Sequence, residues 1–254
     1  MTAPLSRRHA ALRRVAPAGL VLAALACASA PVSHLRPGAS RVVVAPLNLG
    51  LRTPDELQGS EAPVWNELVS YLHAQDERVR IVDAVDAAEL WQEALADLEH
   101  SGSALEPRAA AARFAARLRE HADYDVLVMP SLVLRRARVG GRRVSWDGTR
   151  RSLPVRARVP ADLAVGFGAA GSGYTGTVAA ASLYVALLGP DGRTIFEGLA
   201  GLDVIQELVK GKRSWSESPW RLETRSDPFT DAAGLRAGIG HAFERPLPAT
   251  ARTW

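Results

Sequence analysis

The sequence predicts an α/β fold of the α+β kind: a mixed sheet with helices packed on it and antiparallel hairpins in the C-terminal half. Three observations carry this expectation. Up to about residue 134, short aliphatic and β-branched runs alternate with helix-length segments of 3.6-residue periodicity, as strands and helices do in α/β layers. Beyond that point strand-like runs are joined by glycine-containing reversals. With 47% hydrophobic and 23% charged residues over 254 positions, the chain can bury the core of one globular domain.

The first element is RVVVAPLNL at 41–49, a run apolar enough for a buried strand. A helix across 61–75 and a short strand VRIVD at 79–83 follow. Asp86 is the expected N-cap of a helix over 87–99, whose Leu90, Ala94, Leu95 and Leu98 share one face. The next helix, 107–121, opens with Pro107, whose missing N–H costs nothing in a first turn, and turns Phe114 and Leu118 to the core. YDVLVMPSLVL at 124–134 reads as a central strand. Reversals are expected at Gly140-Gly141, Asp147-Gly148 and Gly189-Pro190-Asp191-Gly192, the last closing a hairpin over 181–205. A helix is expected over 228–246, although Gly234, Gly238 and Gly240 disfavour it.

The segment before residue 41 points to location. Arg7, Arg8, Arg13 and Arg14 precede the apolar run VAPAGLVLAALA, which ends at Cys27, the only cysteine. That order is the pattern of an export signal, and the run is too short for the roughly 20 residues of a spanning helix. Ala24, Leu25 and Ala26 resemble the lipobox of bacterial lipoproteins, with Ala24 where that family usually has leucine. The resemblance implies a signal peptide over 1–26, a lipidated Cys27, several acyl chains including palmitate, and membrane attachment that is effectively permanent. Residues 27–40 then form a tether of roughly 40 Å at about 3.3 Å per residue, and 41–254 the periplasmic domain. Ala28, in place of aspartate, implies the outer membrane under the enterobacterial sorting rule. Two alternatives stay open: an ordinary secretory leader cut after Ala24-Leu25-Ala26, and twin-arginine export, for which Ser6-Arg7-Arg8 fits only the opening of the motif.

Across residues 41–205 the order of VVVAPLNL, DYDVLVMPSLVL and SLYVALLGPDGRTIFEG is similar to the α/β domain of periplasmic assembly lipoproteins, as in curli secretion and the amino-terminal domain of the Tol translocation protein. This implies a binding or assembly role, with a homo-oligomer possible, and supplies no catalytic residue.

Formal charge is +4, but the four leader arginines account for it, and the remainder carries 27 basic and 27 acidic residues. High pI therefore gives no case for nucleic acid. Charge is nevertheless segregated. Residues 55–99 contain twelve acids against Arg78 and Arg80, whereas 135–158 contain nine arginines against Asp147. Arg135, Arg136, Arg138, Arg142, Arg143, Arg150 and Arg151, with Trp146 beside them, are the candidate binding residues for an anionic partner: lipid headgroups, lipopolysaccharide phosphates or an acidic envelope protein. The competing expectation is that these arginines pair with the acidic helices of the same chain. A third is that the opposed patches meet between subunits.

No catalytic set is expected. Gly166-Phe-Gly168-Ala-Ala-Gly171 satisfies GxGxxG, yet SGYTGTV after it is a poor helix for receiving a pyrophosphate, and Asp191 falls in a turn. No cofactor is expected. His9, His34, His73, His100, His121 and His241 are scattered, and His241 with Glu244 makes only half a metal site. Trp215 and Trp220 mark a loop suited either to a partner or to the core. The expected function is a lipid-anchored envelope protein that binds or assembles without catalysis. The alternatives are an anchored hydrolase with an unrecognised site and an oligomeric secretion or pore component, for which Gly-rich 163–179 is the only candidate hairpin.

Overall fold

In the computed structural model, residues 41–75, 78–102, 104, 106–156, 175–210 and 220–247 are described. Cys27 with its leader and tether, the GxGxxG segment, most of 163–179 and Trp215 lie outside them. The fold is mixed α/β, with four helices, a seven-stranded mixed sheet and a second three-stranded sheet.

The large sheet is organised by β3, Val126–Gly140. Along one edge it pairs antiparallel with β7, Thr175–Leu188, from Leu127↔Leu188 to Gly140↔Thr175. Its other edge is shared. β1, Val42–Val44, runs parallel to it at Val126–Val128, and β4, Arg143–Trp146, runs antiparallel at Arg138–Gly140. β2, Arg80–Ile81, extends the sheet beyond β1; β5, Thr149–Ser152, extends it beyond β4; β8, Thr194–Val204, extends it beyond β7. The second sheet joins β6, Val155–Arg156, β9, Gln206–Lys210, and β10, Trp220–Thr224.

β1 stops three residues into the expected 41–49 run, and Pro130 is the reason. It has no N–H to give a neighbouring strand, so the chain turns away. Asn48, at φ 61°, takes over: its N–H donates to Pro130 O and its Oδ1 accepts from Leu132 N at 2.6 Å. β3 itself continues past 134, because its first half is buried on both faces and its second half alternates buried with exposed.

Helices α1, Glu61–Gln75, and α4, Ala232–Glu244, cover one face; Val64, Leu68 and Leu72 meet Leu183, Val185, Leu202 and Ile239 there. Helices α2, Ala84–His100, and α3, Pro107–His121, cover the other face at the β1 end, with Trp91 edge-on to Phe114. The true cap of α2 is Asp83, whose carboxylate accepts from Val85 N at 2.8 Å, so Asp86 sits inside the first turn. α4 starts later than expected for the same reason: Asp231 caps it by accepting from Gly234 N. Its glycines serve contact, since a Cβ at Gly238 would lie 2.6 Å from Gly201 O on β8. At the far end, Ala137, Val139, Val144, Trp146 and Val178 turn inward onto Leu153 and Leu208.

Tyr124 leads into β3 fully buried, donating its hydroxyl to Ala115 O at 2.6 Å. Burial pushes its pKa up to about 12, against the pull of Arg119, from an ordinary value of 10.0. The folded state therefore keeps its full advantage below pH 10 and loses it as pH climbs toward 12. Alkaline unfolding followed by circular dichroism should show stability falling across that window. In Tyr124→Phe the fall should shrink, with about 1 kcal/mol lost at neutral pH from the missing hydrogen bond.

Candidate functional site

The arginine segment forms β3, β4 and β5, and its alternation sorts the side chains. Residues directly opposite in antiparallel strands share a face, and the register aligns Arg138 with Ser145 and Arg150, and Gly140 with Arg143 and Ser152. Arg136, Arg138, Arg143 and Arg150 therefore lie on one outward face, all exposed. Ala137, Val139, Val144 and Trp146 occupy the buried face. Like charges directly opposite would repel. Here each arginine instead faces a small residue: Ser145, Ser152, Gly140, or Thr177 and Ala179 on β7. The reversal between β4 and β5 uses Asp147 and Gly148, both with positive φ, the conformation that a two-residue hairpin turn requires.

The expected binding set divides. Arg142 joins the outward four at the exposed β3–β4 turn. Arg135 is tied to Asp147 at 3.0 Å, which also accepts from Ser182. Arg151 donates to Leu202 O and pairs with Asp231, bracing the cap of α4. Trp146 is 7% exposed and donates its indole N–H to Ala181 O, so it belongs to the core and not to a contact surface. Among the described residues no arginine of 135–156 pairs with an acid of 55–99; Arg156 pairs with Glu207, while Glu67 and Asp97 are taken by Arg236 and Arg117. Arg136, Arg138, Arg143 and Arg150 have no carboxylate partner among the described residues. The result is a field of uncompensated guanidinium groups.

A second feature lies on the opposite face, where α2 and α3 stop short of β7. It is an apolar cleft of about 460 Å³, floored by Met129, Val133, Ala186 and Leu188 and flanked by Trp91 and the 46–51 loop. On its β8 side Glu197, 11% exposed, accepts Nε and Nη2 of Arg108 and, at 2.8 Å, the hydroxyl of Tyr184. Burial first, then Glu197, holds the Tyr184 phenol well above its ordinary range. Arg108, Tyr184 and Glu197 come from three separate elements and form no motif, which is why sequence reasoning missed them.

No protein family, curated protein or solved structure matches this chain. The geometry alone must therefore carry any assignment. Among the described residues no cluster of three His, Cys, Asp or Glu side chains could hold a metal, and no helix is long and apolar enough to cross a membrane.

Proposed function

We propose that this protein is a lipid-anchored component of the cell envelope, held at the outer membrane through Cys27 and facing the periplasm, which binds anionic lipid headgroups without catalysis. The carrying observation is the outward face of β3, β4 and β5: four exposed arginines with no acid partner among the described residues. Guanidinium groups suit phosphate oxygens because they present paired donors in a fixed plane. A single cysteine at the end of an export-type leader supplies the anchor, which keeps the domain within reach of headgroups. The order of elements similar to periplasmic assembly lipoproteins agrees with a binding role.

Two measurements test this. Mass spectrometry of the mature amino terminus should find acylated Cys27, and an unmodified terminus downstream of it would remove the anchor. For the face, the unlipidated Cys27→Ser protein should float with phosphatidylglycerol vesicles at low salt and release at high salt. At about 1 kcal/mol per arginine near such a surface, Arg138→Gln with Arg150→Gln should weaken partitioning about thirtyfold. Equal flotation of the variant, or equal flotation with neutral vesicles, would refute the binding face. A second reading is favoured by the exposed Asp86, Glu89 and Glu93 of α2, which complement the arginine face of another copy. It predicts salt-sensitive self-association in sedimentation.

A further inference from the structure

The cleft beside β7 sits where a sheet core should be sealed. β7 is a central strand, and on its other face Leu183, Val185 and Leu187 are at most 1% exposed. Tyr184 and Ala186, alternating with them, remain partly open. The opening is apolar on the β1 side, through Leu49, Leu51 and Trp91, and polar only on the β8 side, where Arg108, Glu197 and Tyr184 meet. Such a division suits an amphiphile, a ligand with an apolar body and a polar end.

Size and charge narrow the occupant. The cleft reaches across β1, β3, β7 and β8, three strand spacings, or about 14 Å at about 4.8 Å each. That length fits a medium alkyl chain and is short for a long one. Arg108 is the one basic side chain among the described lining residues. It grips Glu197 with Nε and Nη2, and Nη1 takes no part in that grip. Both Glu197 oxygens are engaged, which offsets the carboxylate's repulsion of an incoming anion. Glu106 is exposed at the rim, where water screens it.

We propose that this cleft binds a medium-length fatty acid, its chain lying across β3 and β7 and its carboxylate accepting from Nη1 of Arg108. This site is separate from the arginine face and does not depend on it. Ala186 lets the chain lie against the floor, and Ala111 on α3 does the same for the wall.

Calorimetric titration of the Cys27→Ser protein with octanoate, decanoate and laurate tests the assignment. Binding should be saturable at one per chain and tighten about fourfold per methylene. Ala186→Trp should weaken laurate at least tenfold, and Ala111→Leu, a milder filling of the same space, should also weaken it while leaving the melting temperature close to that of the unaltered protein. Methyl decanoate should bind at least fivefold more weakly than decanoate. The proposal is overturned by the absence of saturable laurate binding, by binding that both filling variants leave unchanged, or by an ester that binds as well as the acid.

Discussion

Replacing Asp203 with alanine is expected to cost the domain about 3–5 kcal/mol, the range for breaking a buried ion pair from one side. Asp203 and Arg225 are each 12% exposed and meet at 2.9 Å. The same carboxylate accepts from Phe229 N and Val204 N, both at 2.8 Å. Phe229 has φ 65°, an unusual conformation for a bulky residue, and that amide contact helps to hold it. Removing the carboxylate strands the guanidinium and loosens the turn that feeds α4. Urea unfolding should show the loss directly. Arg225→Met added to Asp203→Ala should recover much of it, since no unpaired charge is then left buried. A single-variant loss under 1 kcal/mol would mean that the pair is solvated.

The second large effect is expected at Gly198. A Cβ there would overlap the backbone carbonyl oxygen of Ala242 on α4, and Phe196 leaves little lateral room. A backbone atom cannot rotate aside as a side chain can, so Gly198→Ala must lift α4 from the sheet. The expected cost is about 3 kcal/mol, at the upper end for overpacking. Gly59→Ala is the comparison: nothing lies within 4 Å of its Cβ, so its cost comes from φ 77° alone and should be smaller. Similar losses in the two variants would show that α4 packs less closely than its geometry implies.

The mixed fold, the Pro107 start of α3 and the turn at 189–192 were legible because each rests on local chemistry: periodicity, a missing N–H, a glycine at φ 73°. Helix starts were less so. Asp83 and Asp86 are both good caps, and the choice between them depends on where β2 ends. The inward position of Trp146 was readable after all, since RVSW alternates and places Val144 and Trp146 opposite Arg143 and Ser145. Proximity in sequence had suggested a shared surface. What no local signal revealed was the pairing of Arg108 with Glu197, 89 positions apart, or the small sheet of β6, β9 and β10. Both depend on how distant segments meet.

The entry to the domain is fastened in a particular direction. Arg41 gives its backbone N–H and its guanidinium to Asp125 and also pairs with Asp123, just before β3 begins. β1 then runs parallel to both β2 and β3. Tension arriving through the chain ahead of Arg41 would pull β1 along its own axis, so the ladder bonds on both sides would share the load at once and could not unzip singly. A protein that is tethered at that end and gripped by its partner near the far end of β3 would carry force along one continuous strand.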